Sequence, residues 1–204
     1  GAPSSSLMSG KIAGVETVIL ARHGRSHQFS PTQVNNRANI IALKNAGVSH
    51  IIATTACGSL RKEIDRGHLV ILDQFIDFTR FRKNTFFDSF DDGPQHTAMA
   101  HPFDENLRRK LYDEAMQLQF QVHSTGCVVT IEGPRFSTVA ESKMFQLWGA
   151  DVINMSTAPE AMLANEAGIP YSAVAMSTDY DCWKEDEIPV TWDEILAVFQ
   201  KNAD

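Results

Sequence analysis

Short apolar runs alternate with longer amphipathic stretches along this chain, and the alternation predicts strands and helices in turn. Thr17–Ala21 is an apolar run after a glycine-containing turn and reads as a strand. Val34–Ala46 carries a helical period that Gly47 stops. Ile51–Thr55 is apolar and β-branched, the pattern of a buried strand, and Leu69–Phe75 reads the same way. Glu105–Leu118 repeats Leu107, Leu111, Ala115 and Leu118, a single stripe along a helix. Gly126–Ile131, Val152–Asn154 and Ser172–Met176 are further strands. Thr138 and Glu141 form a capping box that opens a helix to Trp148. Pro159–Ala167 is helical, and Thr191 with Glu194 starts a last helix running towards Asp204. Arg80–His101 shows no period and is rich in Phe, Asp and His, so it reads as a long surface loop of the functional or mobile kind. The order predicts one α/β domain over residues 1–204, with three α/β/α layers around a central mixed β-sheet.

Two stretches run from a strand into a helix start: Thr130-Ile-Glu-Gly-Pro-Arg-Phe-Ser137 and Asn154-Met-Ser-Thr-Ala-Pro-Glu160. In the second, Thr157 reads as an N-cap with Glu160 three residues on, and Pro159 falls in the first turn, where its missing N–H costs nothing. A helix that starts this way turns unpaired amides towards Met155 and Ser156, a ready anion site.

Ligands in such folds gather at strand ends, and four strand ends here are polar. Arg22 and His23 follow one strand, and Thr54, Thr55, Ala56, Gly58 and Ser59 lie at the end of another. Met155 and Ser156 end a third, and Ser177–Asp181 a fourth. Arginine, histidine, hydroxyls and helix-start amides together describe a phosphate cradle. Asp179 and Asp181 would repel phosphate, so they face a different part of the ligand, such as an amine or a heterocyclic N–H. Each feature alone has a plainer reading. Arg22 could be a surface ion pair and His23 a satisfied core histidine, while the threonines could end a strand and the aspartates cap a turn. The joint placement carries the weight. Arg22-His23-Gly24 also matches the triplet that histidine phosphatases place after their first strand. That chemistry needs a second catalytic histidine and an acid. None of His50, His68, His96, His101 or His123 follows a matching strand end.

Composition narrows the classes. Of the 204 residues 43% are hydrophobic, enough to fill one core, and the net charge of -7 argues against a large nucleic-acid footprint. The apolar runs are too short to span a bilayer. Gly1-Ala-Pro-Ser-Ser-Ser resembles neither a signal peptide nor a transit sequence. Cys57, Cys127 and Cys182 are far apart, with no metal spacing, and read as buried or free thiols of a reducing cytoplasm.

Six stretches carry a family resemblance: Ala21–Arg25, Thr54–Ser59, Asp73–Asp77, Thr130–Ser137, Trp148–Met155 and Thr178–Lys184. With them the chain resembles the methylthioadenosine-cleaving branch of the trimeric purine nucleoside phosphorylase family. The resemblance implies a nucleoside phosphorylase-like fold and phosphorolysis of 5'-methylthioadenosine to adenine and 5-methylthioribose 1-phosphate, a step of purine and methionine salvage. It implies phosphate contacts at Arg22, His23, Thr55, Ala56 and Ser156, where Ser156 keeps the hydroxyl of the family's usual threonine. It implies ribose contact at Met155, purine contacts at Phe136 and Ser137, and catalytic contacts to the purine edge at Asp179 and Asp181. Asp179 would be protonated and donate towards N7, while Asp181 stays ionised and accepts from the 6-amino group. His96 would reach a neighbour's site across a homotrimer interface. Inorganic phosphate would be a co-substrate, with no cofactor, metal, nucleic acid or membrane partner, in the cytoplasm or also the nucleus. The family's N-terminal strand with its Gly-rich loop, and its C-terminal part, have no counterpart in this sequence. Without them the phosphate site is expected to be open on one side and turnover slight. Two other readings stand beside this one: a nucleoside phosphorylase for other 6-amino or 6-oxopurine nucleosides, and a non-catalytic member of the family.

Overall fold

The computed structural model describes residues 1–91 and 93–184, so the helix expected from Thr191 lies outside the described residues. β1 (Met8–Ile12) and β2 (Val15–Ile19) form an antiparallel ribbon. Ala13 and Gly14, at φ 48 and 81, make the two-residue turn between them. Two positive φ angles in succession match the right-handed twist of the strands they join. β1 was not anticipated, because only Met8 and Ile12 are apolar there and both are exposed.

The other seven strands form one mixed sheet: β3 (Ile51–Ser59), β4 (Leu69–Ile71), β5 (Gln74–Phe78), β6 (Val122–His123), β7 (Cys127–Ile131), β8 (Val152–Asn154) and β9 (Tyr171–Asp179), in the order β5-β7-β8-β3-β9-β4-β6. The single strand expected over Leu69–Phe75 is therefore two. The break has a clear physical consequence. β4 and β5 are five strand spacings apart in this order, about 24 Å if the sheet were flat. The chain from Ile71 to Gln74 spans at most about 11 Å. The sheet must curl until its two ends meet, and the Leu72 amide bonding to the Ala173 carbonyl and the Asp73 amide to the Gly126 carbonyl mark that seam.

Four α-helices pack on the faces of the sheet: α1 (Asn36–Asn45), α2 (Glu105–Gln117), α3 (Val139–Leu147) and α4 (Thr157–Glu166). Gly47, at φ 76, stops α1 as its sequence position implies. The Thr138 hydroxyl accepts from the Glu141 amide and the Glu141 carboxylate from the Thr138 amide, the expected box at the head of α3. The stripe on α2 is only partly used, since Ala115 is buried and Leu118 is 69% exposed.

Strand alternation splits the core in two. Val128 and Val152 point into a large cluster with Ile40 of α1 and Ala161 and Leu163 of α4. Their neighbours Val129 and Ile153 point the other way, against Phe145 of α3. This period of two gives helices on both faces. β3 pairs with β9 from Ile51 to Gly58, but with β8 only at Gly58 and Ser59. Among the described strands, then, the other edge of β3 is open beside Thr55 and Ala56.

Candidate active site

Thr54 and Thr55 fall in the middle of β3 rather than at a strand end, whereas Arg22 follows the end of β2, Ser156 the end of β8, and Asp179 and Asp181 mark the end of β9. Arg22, just past β2, is anchored rather than free. Its Nε and Nη2 donate to the two carboxylate oxygens of Glu160, Nη2 at 2.9 Å, and its Nη1 to the Thr54 carbonyl at 3.2 Å. The Tyr171 hydroxyl donates to the same Glu160 carboxylate at 2.9 Å. Burial alone would lower the Arg22 pKa, but the adjacent Glu160 carboxylate raises it further above its already high ordinary value. A guanidinium has five N–H groups, so two remain for a ligand. Glu160 is therefore not the capping partner of Thr157. The N-cap of α4 is Ser156, with no side-chain cap bond, and Thr157 is the first helical residue.

The head of α4 is instead satisfied by Asn154. Its Oδ1 accepts from the Thr130 hydroxyl at 2.9 Å and lies 3.4 and 3.5 Å from the amides of Ser156 and Thr157. Its Nδ2 donates to the hydroxyls of Thr157 at 2.6 Å and Thr55 at 3.2 Å. Thr130 takes the Ala158 amide at 3.1 Å. The first amides of α4 thus have partners inside the protein, which corrects the expectation of unpaired N–H groups facing an anion. What remains for a ligand is the hydroxyl pair of Thr55 and Ser156, 3.2 Å apart and both buried.

His23 Nδ1 lies 2.9 Å from the Phe29 carbonyl. A carbonyl only accepts, so Nδ1 carries the proton and Nε2 presents a lone pair. The ring stacks on His27 with centroids 4.5 Å apart. Burial lowers the His23 pKa, and the Arg22 cation lowers it further against the pull of the Phe29 carbonyl. The neutral ring is favoured near neutrality.

A β-bulge falls where β3 meets β9. Cys57 pairs with Ser177 but Gly58 with Asp179, leaving Thr178 unpaired. Bulges re-aim side chains, and here the Thr178 hydroxyl donates to Asp179 Oδ2 at 2.7 Å. Gly58 permits the approach: a Cβ there would lie 3.1 Å from Asp179 Oδ1 and 3.3 Å from Asp181 Cβ. Asp181 is buried, and burial raises its pKa against the hydroxyls of Ser142 and Ser137 and the Cys182 amide. Burial thus works against the ionised form expected of Asp181, while those three donors favour it. The segment is pinned by Trp183 Nε1 donating to the Ser59 carbonyl at 2.8 Å and the Cys182 thiol to the Ser137 carbonyl at 3.3 Å.

Met155 is half-buried and Phe136 is 66% exposed. A cavity of about 190 Å³ opens beside Ser137, lined also by Phe78, Ile131, Glu132 and Gly133. It does not reach Arg22, Thr55 or Ser156. His96 is exposed and packs edge-on against Phe90 of its own loop, at 5.5 Å between centroids, so the single chain does not bring it to the other site residues. Among the described residues, no group of three or more His, Cys, Asp or Glu is placed to hold a metal ion, and no helix is long and apolar enough to cross a membrane. Sequence reasoning missed Glu160, Asn154 and Thr130 as the frame of the site. All three lie in the two stretches it singled out, but a buried acid and two buried polar residues have no periodic signature.

The curled mixed sheet of this α/β fold gathers an arginine and buried hydroxyls beside β3 and β8, and two carboxylates at the end of β9. Residues 2–204 match the family described as Phosphorylase superfamily. The chain is 56% identical to S-methyl-5'-thioadenosine phosphorylase of Xenopus tropicalis, over all of this chain and 74% of that protein. It is 52% identical to the Danio rerio enzyme of the same name, again over 100% of this chain and 74% of that one. The methylthioadenosine phosphorylase of Schistosoma mansoni in complex with adenine superposes with a TM-score of 0.92 at 42% identity, covering 98% of this chain and 76% of that one. A Schistosoma mansoni mutant in complex with methylthioadenosine gives 0.90 at 41% identity, over 98% of this chain and 75% of the other. The chain belongs to the S-methyl-5'-thioadenosine phosphorylase family within that superfamily.

Proposed function

We propose that this chain binds 5'-methylthioadenosine and inorganic phosphate and releases adenine and 5-methylthioribose 1-phosphate. The observation that carries the reading is the juxtaposition through β3. Thr55 faces the Ser156 hydroxyl, and three residues on Gly58 lets Asp179 and Asp181 close in. An anion held at the first point and a purine edge at the second place the sugar between them, over Met155.

Phosphate is held by the two remaining Arg22 N–H groups, by the hydroxyls of Thr55 and Ser156, and by the Ala56 backbone. His23 Nε2 accepts a hydrogen bond from the P–OH of hydrogen phosphate. A phosphate oxygen bonds to C1' as the C1'–N9 bond breaks, and the bonding pair leaves on the purine. An acid then supplies a proton to N7 of the departing base. We assign that proton to Asp179, which lies beside the Thr178 hydroxyl. We assign acceptance from the 6-amino group to Asp181, whose ionised form the hydroxyls of Ser142 and Ser137 and the Cys182 amide favour. Phe136 stacks on the purine, and Ser137 lies at its rim. His96 acts from a neighbouring chain of a homotrimer. The aperiodic, partly aromatic loop that carries it suits an interface.

The test is base preference in the presence of phosphate. Adenine release from methylthioadenosine should exceed hypoxanthine release from inosine. Asp181→Asn should narrow that gap more than Asp179→Asn, because an amide can donate where the carboxylate only accepts. Equal use of both nucleosides by the unaltered chain would refute the substrate assignment, and equal effects of the two variants would refute the roles given to the pair.

A further inference from the structure

The Thr130–Ser137 stretch contains an acid, Glu132, that the reaction above does not use. It organises a buried junction with Arg82, from the start of the long loop. The Arg82 side chain is only 2% exposed. Its Nε donates to Glu132 Oε1 at 3.0 Å, its Nη2 to the Glu132 carbonyl at 2.6 Å and its Nη1 to the Met155 carbonyl at 3.0 Å. Glu132 accepts in addition from the amides of Arg80 at 2.6 Å and Phe81 at 3.1 Å and from the Thr32 hydroxyl at 2.6 Å. Burial alone would raise its pKa; these donors reverse that and hold it at about 2, so the acid stays charged.

The bond to the Met155 carbonyl sets this junction apart. The Met155 carbonyl and the Ser156 amide share one peptide plane, and that plane carries the residue assigned to ribose on one side and a phosphate hydroxyl on the other. Gly133, at φ 65, lets the same loop lie against the Met155 side chain, since a Cβ there would sit 2.4 Å from Met155 Sδ. Met155 is thus fixed twice, at its carbonyl by Arg82 and at its thioether by the Glu132–Gly133 turn. The purine edge is anchored separately, through β9, Ser59 and Ser137.

We propose that Arg82, held by Glu132, is a positioning residue of the glycosyl site: it fixes the Met155–Ser156 peptide and thereby the ribose and phosphate contacts, while leaving the purine-edge contacts of Asp179 and Asp181 alone. The proposal rests on the phosphorylase reading above. A merely structural role would weaken every ligand together; a positioning role is selective.

The experiment is equilibrium binding of adenine, and separately of methylthioadenosine, to the full chain and to Arg82→Ala, with thermal unfolding of each protein alongside. Adenine should bind the variant within about twofold of the unaltered chain, while methylthioadenosine weakens by about tenfold or more, the equivalent of one charge-assisted hydrogen bond. Should Arg82→Ala fail to fold, Arg82→Lys serves. It keeps a cation beside Glu132 but cannot reach both carbonyls from one ammonium, and should show the same selective loss in smaller measure. Parallel weakening of adenine and methylthioadenosine, or no weakening of either, overturns the proposal. An unaltered chain that binds neither ligand overturns the phosphorylase reading itself, and is told apart by needing no variant to see it.

Discussion

Glu160 should be among the most costly single residues to remove from this protein, and the reason is its partner. Glu160→Ala strips the carboxylate from two Arg22 N–H groups and from the Tyr171 hydroxyl at once. The side chains of Arg22 and Glu160 are 18% and 10% exposed, so solvent can compensate only in part. Removing one member of a buried ion pair costs about 3–5 kcal/mol. The residual exposure of Arg22 points to the lower end, about 3 kcal/mol, with about 1 kcal/mol more for the orphaned tyrosine. Arg22→Ala should cost a similar amount by stranding the carboxylate. The double variant strands neither charge, so its cost should fall short of the sum by about 2 kcal/mol. Urea unfolding of the four proteins, followed by tryptophan fluorescence, measures the cycle. Single effects that add within about 0.5 kcal/mol would show the pair to be uncoupled, and the anchored Arg22 would have to be abandoned.

Other expectations follow from the same geometry. Arg22→Ala should raise the half-saturating phosphate concentration much more than that of the nucleoside, in titrations of adenine release; an unchanged phosphate constant would remove Arg22 from the cradle. Because His23 is held neutral with Nδ1–H on the Phe29 carbonyl, phosphate binding near pH 7 should be coupled to proton transfer, seen as a binding enthalpy that varies with the ionisation heat of the buffer; identical enthalpies across buffers would count against it. Gly58→Ala should weaken adenine binding, because the new methyl lies 3.1 Å from Asp179 Oδ1 and must displace it; unchanged adenine affinity by calorimetry would show that the close approach is irrelevant. His123 has its pKa lowered, first by burial and then by the nearby His68. A depressed folded pKa means the unfolded chain binds more protons, so this contribution to stability is complete above the ordinary histidine value and is lost as pH falls through the folded one. His123→Gln should flatten the slope of unfolding free energy between about pH 5 and 7, and an unaltered slope would assign the pH dependence elsewhere.

Much of the fold was legible because period and punctuation agree along the chain. Gly47 ends α1, the Thr138–Glu141 box opens α3, and the β-branched run at Ile51 is a strand, although it alternates, with Ile52 exposed, instead of being buried throughout. The failures share a cause: tertiary context. Leu69–Phe75 looks like one strand because nothing local marks the seam at Leu72–Asp73, where a curled sheet passes the chain from one end to the other. Thr157 and Glu160 have the spacing of a capping box, yet the Arg22 cation takes Glu160 and leaves the helix head to Asn154. Both choices satisfy the same polar groups, and only the position of β2 decides between them. The burial of Asp181 is likewise tertiary, since a D-x-D pattern gives no sign of it.

The central claim is that Arg22, Thr55 and Ser156 hold phosphate as the attacking group while Asp179 and Asp181 hold the departing base. Adenine release from methylthioadenosine, measured by chromatography with phosphate and in a phosphate-free buffer, tests it most directly. The expected result, at whatever rate this chain sustains, is release that requires phosphate and yields one 5-methylthioribose 1-phosphate per adenine. Adenine appearing equally without phosphate, with free methylthioribose as its partner product, or no saturable binding of methylthioadenosine at all, would contradict the account.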